Sequence, residues 1–106
     1  MKIITLCGSM KFQKYMMCAA EEMALLGNCI LTPIYPTSEN SERTEEQLEM
    51  LKEEHFKKIE LSDAILVINV DDYIGYSTNL EIEYAKKLNK EILYYTDLIK
   101  NKTIKI

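Results

Sequence analysis

The run Asp63–Val70, "DAILVINV", is the stretch that most limits what this chain can fold into. A strand with one wet face alternates apolar and polar residues. This one is apolar on successive residues, as a strand covered on both faces requires. Strands of that kind belong to parallel sheets with helices packed on either side, so the rest of the chain should supply those helices.

It does. "KIITLC" (2–7) is rich in β-branched and apolar residues and predicts a first strand ending near Cys7, with "GSM" as a tight connection. From Lys11 to Leu26 the period is helical, and Phe12, Tyr15, Met16, Ala19, Met23 and Leu26 share one face. Gly27 stops that helix at the C′ position. "NCILTPI" (28–34) predicts a second strand, closed by Pro33 and Pro36, and "YPTSENSER" (35–43) is a polar loop. "TEEQ" at Thr44–Gln47 is a capping box with acidic residues in the first turn. The helix it opens carries Leu48, Leu51, His55 and Ile59 on one face, with Lys57 and Lys58 near its end. After the third strand, "DDYIGYS" leads to a helix from about Thr78 to Leu88, then "EILYY" as a fourth strand and "TIKI" as a possible fifth. The expected architecture is α/β: a small doubly wound parallel sheet of four or five strands with flanking helices, a flavodoxin-like (Rossmann-like) three-layer sandwich. In such sheets ligands bind where the strands end, near the reversal of strand order. The loops "CGSM" and "DDYIGYST" should meet there.

At 106 residues, just under half of them apolar, the chain is expected to form one domain with a single modest core. A net charge of −4 argues against binding nucleic-acid polymers, although a few local donors suffice for a small anion. No apolar run approaches a membrane span, and the apolar part of "MKIITLCGSMK" is too short for a secretory signal, so the expected location is the cytoplasm. Cys7, Cys18 and Cys29 form no C-x-x-C pair and are odd in number, so they should be reduced and mostly buried. With one histidine, His55, a zinc site of standard ligand type is not expected, and neither is another metal or cofactor.

Two glutamates open the last long helix. At 100° per residue, Ile82, Ala85 and Leu88 make the stripe that faces the sheet. Glu83 lies opposite and can pair with Lys87 four residues on. Glu81 falls within the inner arc, beside the predicted crevice. "TNLE" (Thr78–Glu81) is itself a capping box, which explains Glu81 as a helix-starting residue. A carboxylate at a helix N-terminus on a crevice wall is equally suited to act as nucleophile or base.

"CGSM" after the first strand, Asp63 opening the third, and "GYSTNLEIEYA" opening the last helix together resemble the nucleoside 2-deoxyribosyltransferase family, whose relatives include 2′-deoxynucleoside 5′-monophosphate N-hydrolases. The resemblance runs from Lys2 to about Tyr95. It implies an enzyme that cleaves the N-glycosidic bond of a deoxynucleoside or its 5′-monophosphate. Glu81 would match the nucleophile that attacks C1′, and a base or water would resolve the resulting ester. Gly8, Ser9 and Met10 would border the sugar or phosphate, with Ser9 otherwise a helix cap. Ser77 and Thr78 match small or hydroxyl positions before the glutamate. Asp71, Tyr73 and Gly75 lie in the second loop, where Asp71 and Asp72 would bond ribose hydroxyls and Tyr73 or Tyr76 would stack on a base. Lys11 either neutralises a phosphate or is a solvated first-turn lysine. His55 stands where the family places an aspartate that assists the leaving base, and a histidine can donate that proton. On residue pattern alone, however, His55 shares an apolar face with Leu51 and Ile59, and idealised geometry sets it well down its helix, away from the strand ends. Glu83 and Ser77 stand where many members carry glycine. Family pockets are often completed by a neighbouring subunit, which implies a homodimer or higher homo-oligomer.

Other function classes remain open from the sequence. The phosphoribohydrolase signature "PGGxGTxxE" shares only its T-x-x-E with "YIGYSTNLE". A non-catalytic nucleotide-binding module would use the same crevice, and a structural or interaction domain would not use it at all.

Overall fold

A computed structural model describes residues 1–37 and 42–105. Strand β1 (Ile3–Cys7) is followed by a 3-10 turn at Met10–Phe12 and helix α1 (Gln13–Leu25), then β2 (Cys29–Leu31), α2 (Glu45–Leu61) and β3 (Ala64–Val67). A second 3-10 turn at Val70–Asp72 precedes α3 (Tyr76–Lys87), β4 (Glu91–Tyr94) and α4 (Tyr95–Lys100). The strands pair in parallel in the order β2-β1-β3-β4. Strand order therefore reverses between β1 and β3, as in flavodoxin-like sheets.

The two-residue period of β1 and β3 assigns the helices to their faces. Ile4 and Leu6 of β1, with Ala64 and Leu66 of β3 and Ile68 just beyond it, pack with Met16, Ala19 and Met23 of α1, Tyr95 and Leu98 of α4, and Ile104. Cys7, Ile65 and Val67 point the other way, onto Ile59 of α2 and Ile82 and Ala85 of α3. Both faces of β3 are thus apolar because both are covered. Thr5 is the buried polar residue of β1 on the α2 face. Its hydroxyl shares a 2.6 Å hydrogen bond with Ser62 and reaches the Lys58 carbonyl at 3.2 Å, so no polar group is stranded there.

Caps fix where the helices start and stop. Both halves of the expected box form at α2: Gln47 N–H donates to Thr44 Oγ1 at 3.1 Å, and Thr44 N–H to Gln47 Oε1 at 3.0 Å. Gly27 has φ of +98°, the left-handed C′ conformation that ends α1. Asp63 lies at the far end of the sheet from the strand C-termini, where its carboxylate accepts from Ile3 N–H at 2.8 Å and ties β3 to β1.

Several expectations need correcting. Helix α3 begins at Tyr76 with Gly75 as N-cap and no side-chain cap, so the "TNLE" box does not form. The second strand shortens to three residues. Leu26 is exposed, as is Cys18, while Cys29 is half-buried, so Cys7 alone of the three thiols is fully buried. Thr103–Lys105 form no strand. Instead Ile104 folds back into the core, its N–H reaching the Leu98 carbonyl at 3.3 Å. Tyr95 does not extend β4 but starts α4. Thr96 there is held by Asn69, whose side chain accepts from Thr96 N–H at 3.2 Å and donates to Thr96 Oγ1 at 3.0 Å. Part of the loop expected over 35–43 (residues 38–41) lies outside the described residues, as does Ile106. No helix among the described residues is long and apolar enough to cross a membrane.

Candidate active site

Three elements converge where β1 ends. Cys7, the last residue of β1, turns its side chain toward the α2–α3 layer and is fully buried. Helix α2 has 17 residues, about 25 Å, against about 13 Å for the four residues of β3. Its N-terminal half therefore runs past the strand ends, and its eleventh residue, His55, comes level with Cys7. The expectation that His55 sits away from the strand ends is thereby corrected. Helix α3 starts at the same edge and brings Glu81 in its second turn, not its first.

His55 is the hub. Its Nε2 lies 3.5 Å from Cys7 Sγ and 3.5 Å from Glu81 Oε1. The tautomer with the ring proton on Nε2 directs a donor at the carboxylate. Nδ1 is buried with no hydrogen-bond partner among the described residues. His55 is 8% exposed, whereas the Glu81 side chain keeps 19% of its surface open. Burial pushes the Cys7 thiol well above its ordinary ionisation range, and the adjacent Glu81 charge and hydrogen bond add to the shift, so the thiol stays protonated. Glu83, in contrast, is solvated and lies 3.6 Å from Lys86, three residues on, not beside Lys87 as expected.

A cavity of about 540 Å³ opens over this trio, within the size range of small-molecule sites. Gly8 and Met10 border it below, Pro33 and Ile34 at the exit of β2, and Tyr76, Ser77, Leu80 and Glu81 on α3. The overshooting half of α2 forms the long wall, with Leu48, Leu51, Lys52, His55 and Phe56, and with Glu45 and Glu49 among its acids. Arg43 lies just before its cap. Gly8 is required by closeness. A Cβ there would sit 3.2 Å from Ile68 Cβ and 3.3 Å from Ile68 O.

Of the residues singled out in the sequence, Gly8, Met10, His55, Tyr76, Ser77 and Glu81 line the cavity, and Ser9, Lys11, Asp71, Asp72, Tyr73, Gly75 and Thr78 do not. Ser9 caps the first 3-10 turn, accepting from Lys11 N–H. Asp71 is exposed in a left-handed conformation, φ of +54°. Tyr73 packs edge-on against Phe12, with Lys11 Nζ 3.4 Å above its ring centre, and this also accounts for Lys11. Gly75 backs onto Tyr73, and Thr78 is buried on the same face of α3 as Ile82 and Ala85. Cys7, Arg43, Lys52 and Phe56 were not anticipated. For α2 the available signal was length: a helix of nearly five turns joined to strands of three and four residues must have an end with no sheet beneath it.

No family model matches the sequence, and no curated protein matches it. Among solved structures, the chain is similar to a 2-desoxiribosyltransferase from Leishmania mexicana, with a TM-score of 0.65 and 19% identity. The match covers 90% of this chain and 64% of that one, so this chain spans less than two-thirds of that protein's length. Parallel order β2-β1-β3-β4, helices on both faces and a crevice at the reversal of strand order are the features of a nucleoside 2-deoxyribosyltransferase-like fold, and this chain has that fold.

Proposed function

We propose that the chain is an enzyme acting on the N-glycosidic bond of a deoxynucleoside, with Glu81 as nucleophile. The observation that carries this reading is the state of Glu81: a carboxylate open to a small-molecule cavity, touching a histidine, and not used to cap its helix. Its structural neighbour being named a 2-desoxiribosyltransferase fits this reading. In the first displacement a Glu81 oxygen attacks C1′, the C1′–N bond breaks, and the base leaves with a proton. In its doubly protonated form His55, 3.5 Å from Glu81, supplies that proton from Nε2 and is left as the neutral imidazole with its other proton on Nδ1. In the second, water or another base attacks C1′ and releases the carboxylate, and the incoming group's proton returns to His55. Two displacements through an oxocarbenium-like transition state retain the configuration at C1′.

The lining also bears on the substrate. Arg43 and Lys52 face Glu45, Glu49 and Glu81, so acids outnumber bases three to two. That balance favours an uncharged nucleoside over its 5′-monophosphate. Leu48, Leu51, Phe56 and Leu80 give a base an apolar surface to lie against. Ile34, Leu48 and Tyr76 are exposed at the rim, where a second copy of the chain would close the pocket.

The test is incubation with deoxynucleosides and their 5′-monophosphates, with and without an acceptor base, and chromatography for free or exchanged base. Glu81→Gln should lower turnover about a thousandfold or more. Full activity in that variant would remove the mechanism. Nucleotide binding by calorimetry without turnover would mean the crevice belongs to a binding module.

A further inference from the structure

The Cys7–His55–Glu81 trio offers a soft thiol, an imidazole and a carboxylate, one from each of three elements, with their donor atoms all within 4.8 Å of one another. Two of the separations, Sγ to Nε2 and Nε2 to Oε1, are 3.5 Å. A tetrahedral zinc ion with ordinary bond lengths holds its ligand atoms about 3.3–3.6 Å apart, so two of the trio's three separations already match edges of such a tetrahedron and the third lies within 4.8 Å. Ordinary packing of a buried histidine does not call for a thiol and a carboxylate both on the same ring nitrogen. The cavity lies on the side where a fourth ligand would enter, since Glu81 and His55 line it.

We propose that Cys7, His55 and Glu81 form a three-ligand site for a thiophilic divalent cation, zinc in the first instance, with its fourth position open to the cavity. Binding balances as follows: the cation displaces the Cys7 proton to solvent, neutral His55 ligates through Nε2 with its ring proton on Nδ1, and Glu81 contributes one oxygen. No electron is transferred. Because a ligating thiolate forms from a thiol, each bound ion releases one proton, and apparent affinity should rise about tenfold per pH unit below the ordinary thiol range. The cation takes an oxygen of the side chain assigned as nucleophile, so it should inhibit turnover competitively with the nucleoside. Only this last consequence rests on the function proposed above.

The experiment is titration of the purified, chelator-treated chain with Zn²⁺ and with Co²⁺. Calorimetry reads stoichiometry and pH dependence, and absorption reads the thiolate-to-cobalt charge-transfer band. A background variant carrying Cys18→Ser and Cys29→Ser removes the other two thiols. One ion per chain, the charge-transfer band, its loss in Cys7→Ser and at least tenfold weaker binding in Glu81→Gln are expected, with circular dichroism showing that both variants fold. A band that survives Cys7→Ser, affinity that does not change with pH, or no binding in the background variant overturns the site. Base release assayed with and without Zn²⁺ separates the two proposals. Absent turnover in the chelated protein defeats the glycosidic reading and leaves the metal site standing. Stoichiometric binding with undiminished turnover defeats the inhibitory role.

Discussion

At the scale of single residues, Cys7 is the most informative side chain, and the sequence said little about it. "CGSM" gave a strand end and a turn. Nothing local shows that the thiol would meet a histidine 48 residues away and a glutamate on a third element. Its burial has a consequence for stability. The thiol's folded-state pKa lies well above the ordinary 9.0, whereas in the unfolded chain it ionises near that value. The folded state therefore holds the proton more tightly. The stability this contributes is fully present below about pH 9 and is lost as pH climbs toward the folded pKa, with a limiting slope of about 1.4 kcal/mol per unit. Denaturant midpoints measured between about pH 8 and 10 should fall in the natural chain and stay flatter in Cys7→Ser. That window lies below the tyrosines whose pKa is also raised, from an ordinary 10.0. Equal pH dependence in the two proteins would mean that the thiol is not shielded. Glu81 was more legible, because helix phase alone put it on the inner arc. Its capping explanation failed for a reason no phase argument contains: Gly75, not Thr78, starts the helix.

Among the elements, α2 separates what pattern can reveal from what it cannot. Its cap, its length and its buried residues His55 and Ile59 were all readable from "TEEQ" and from the spacing of apolar positions. Leu48 and Leu51 follow the same period, yet Leu48 is 52% exposed, because that part of the helix has cavity beneath it rather than sheet. Periodicity reports which face is apolar, not what the face meets. Helix α4 was missed for the opposite reason. Six residues carry too little pattern, and what fixes it is the Asn69 side chain from beyond β3. Since the free-standing half of α2 has few tertiary contacts, its cap should matter more than usual. Thr44→Ala removes the hydroxyl that accepts from Gln47 N–H, while the backbone half of the box stays, and should cost about 1 kcal/mol, read as a shift in denaturant midpoint. The same substitution should weaken nucleoside binding several-fold, because Arg43, Glu45 and Leu48 lie within the first turn or beside it. Lost stability with unchanged binding would show that the wall does not depend on its cap.

Across the whole molecule the two sides of the sheet are unequal. Among the described residues the α1–α4 side buries eleven apolar residues in one cluster, whereas the α2–α3 side buries six and opens at one end into the cavity. This asymmetry follows from the strand order. At the reversal between β1 and β3 the connections leave on opposite faces, so no helix fills the space above the β1 terminus. The firm cluster holds β1 and β3 in register, and these in turn hold Cys7, the C-terminal half of α2 and the start of α3. Local stability should therefore be graded across the molecule, with the site at the boundary between firm and loose. Amide hydrogen exchange provides the measurement. Ile4–Leu6 and Ile65–Val67 should exchange only through global unfolding, with the same free energy as denaturation. Leu48–Lys52, whose side chains are mostly exposed, should open at several kcal/mol less and slow by an order of magnitude or more when a nucleoside fills the cavity. If α2 instead exchanges uniformly with the strands, its outer half is braced as firmly as the core, and the pocket wall is rigid before any ligand arrives.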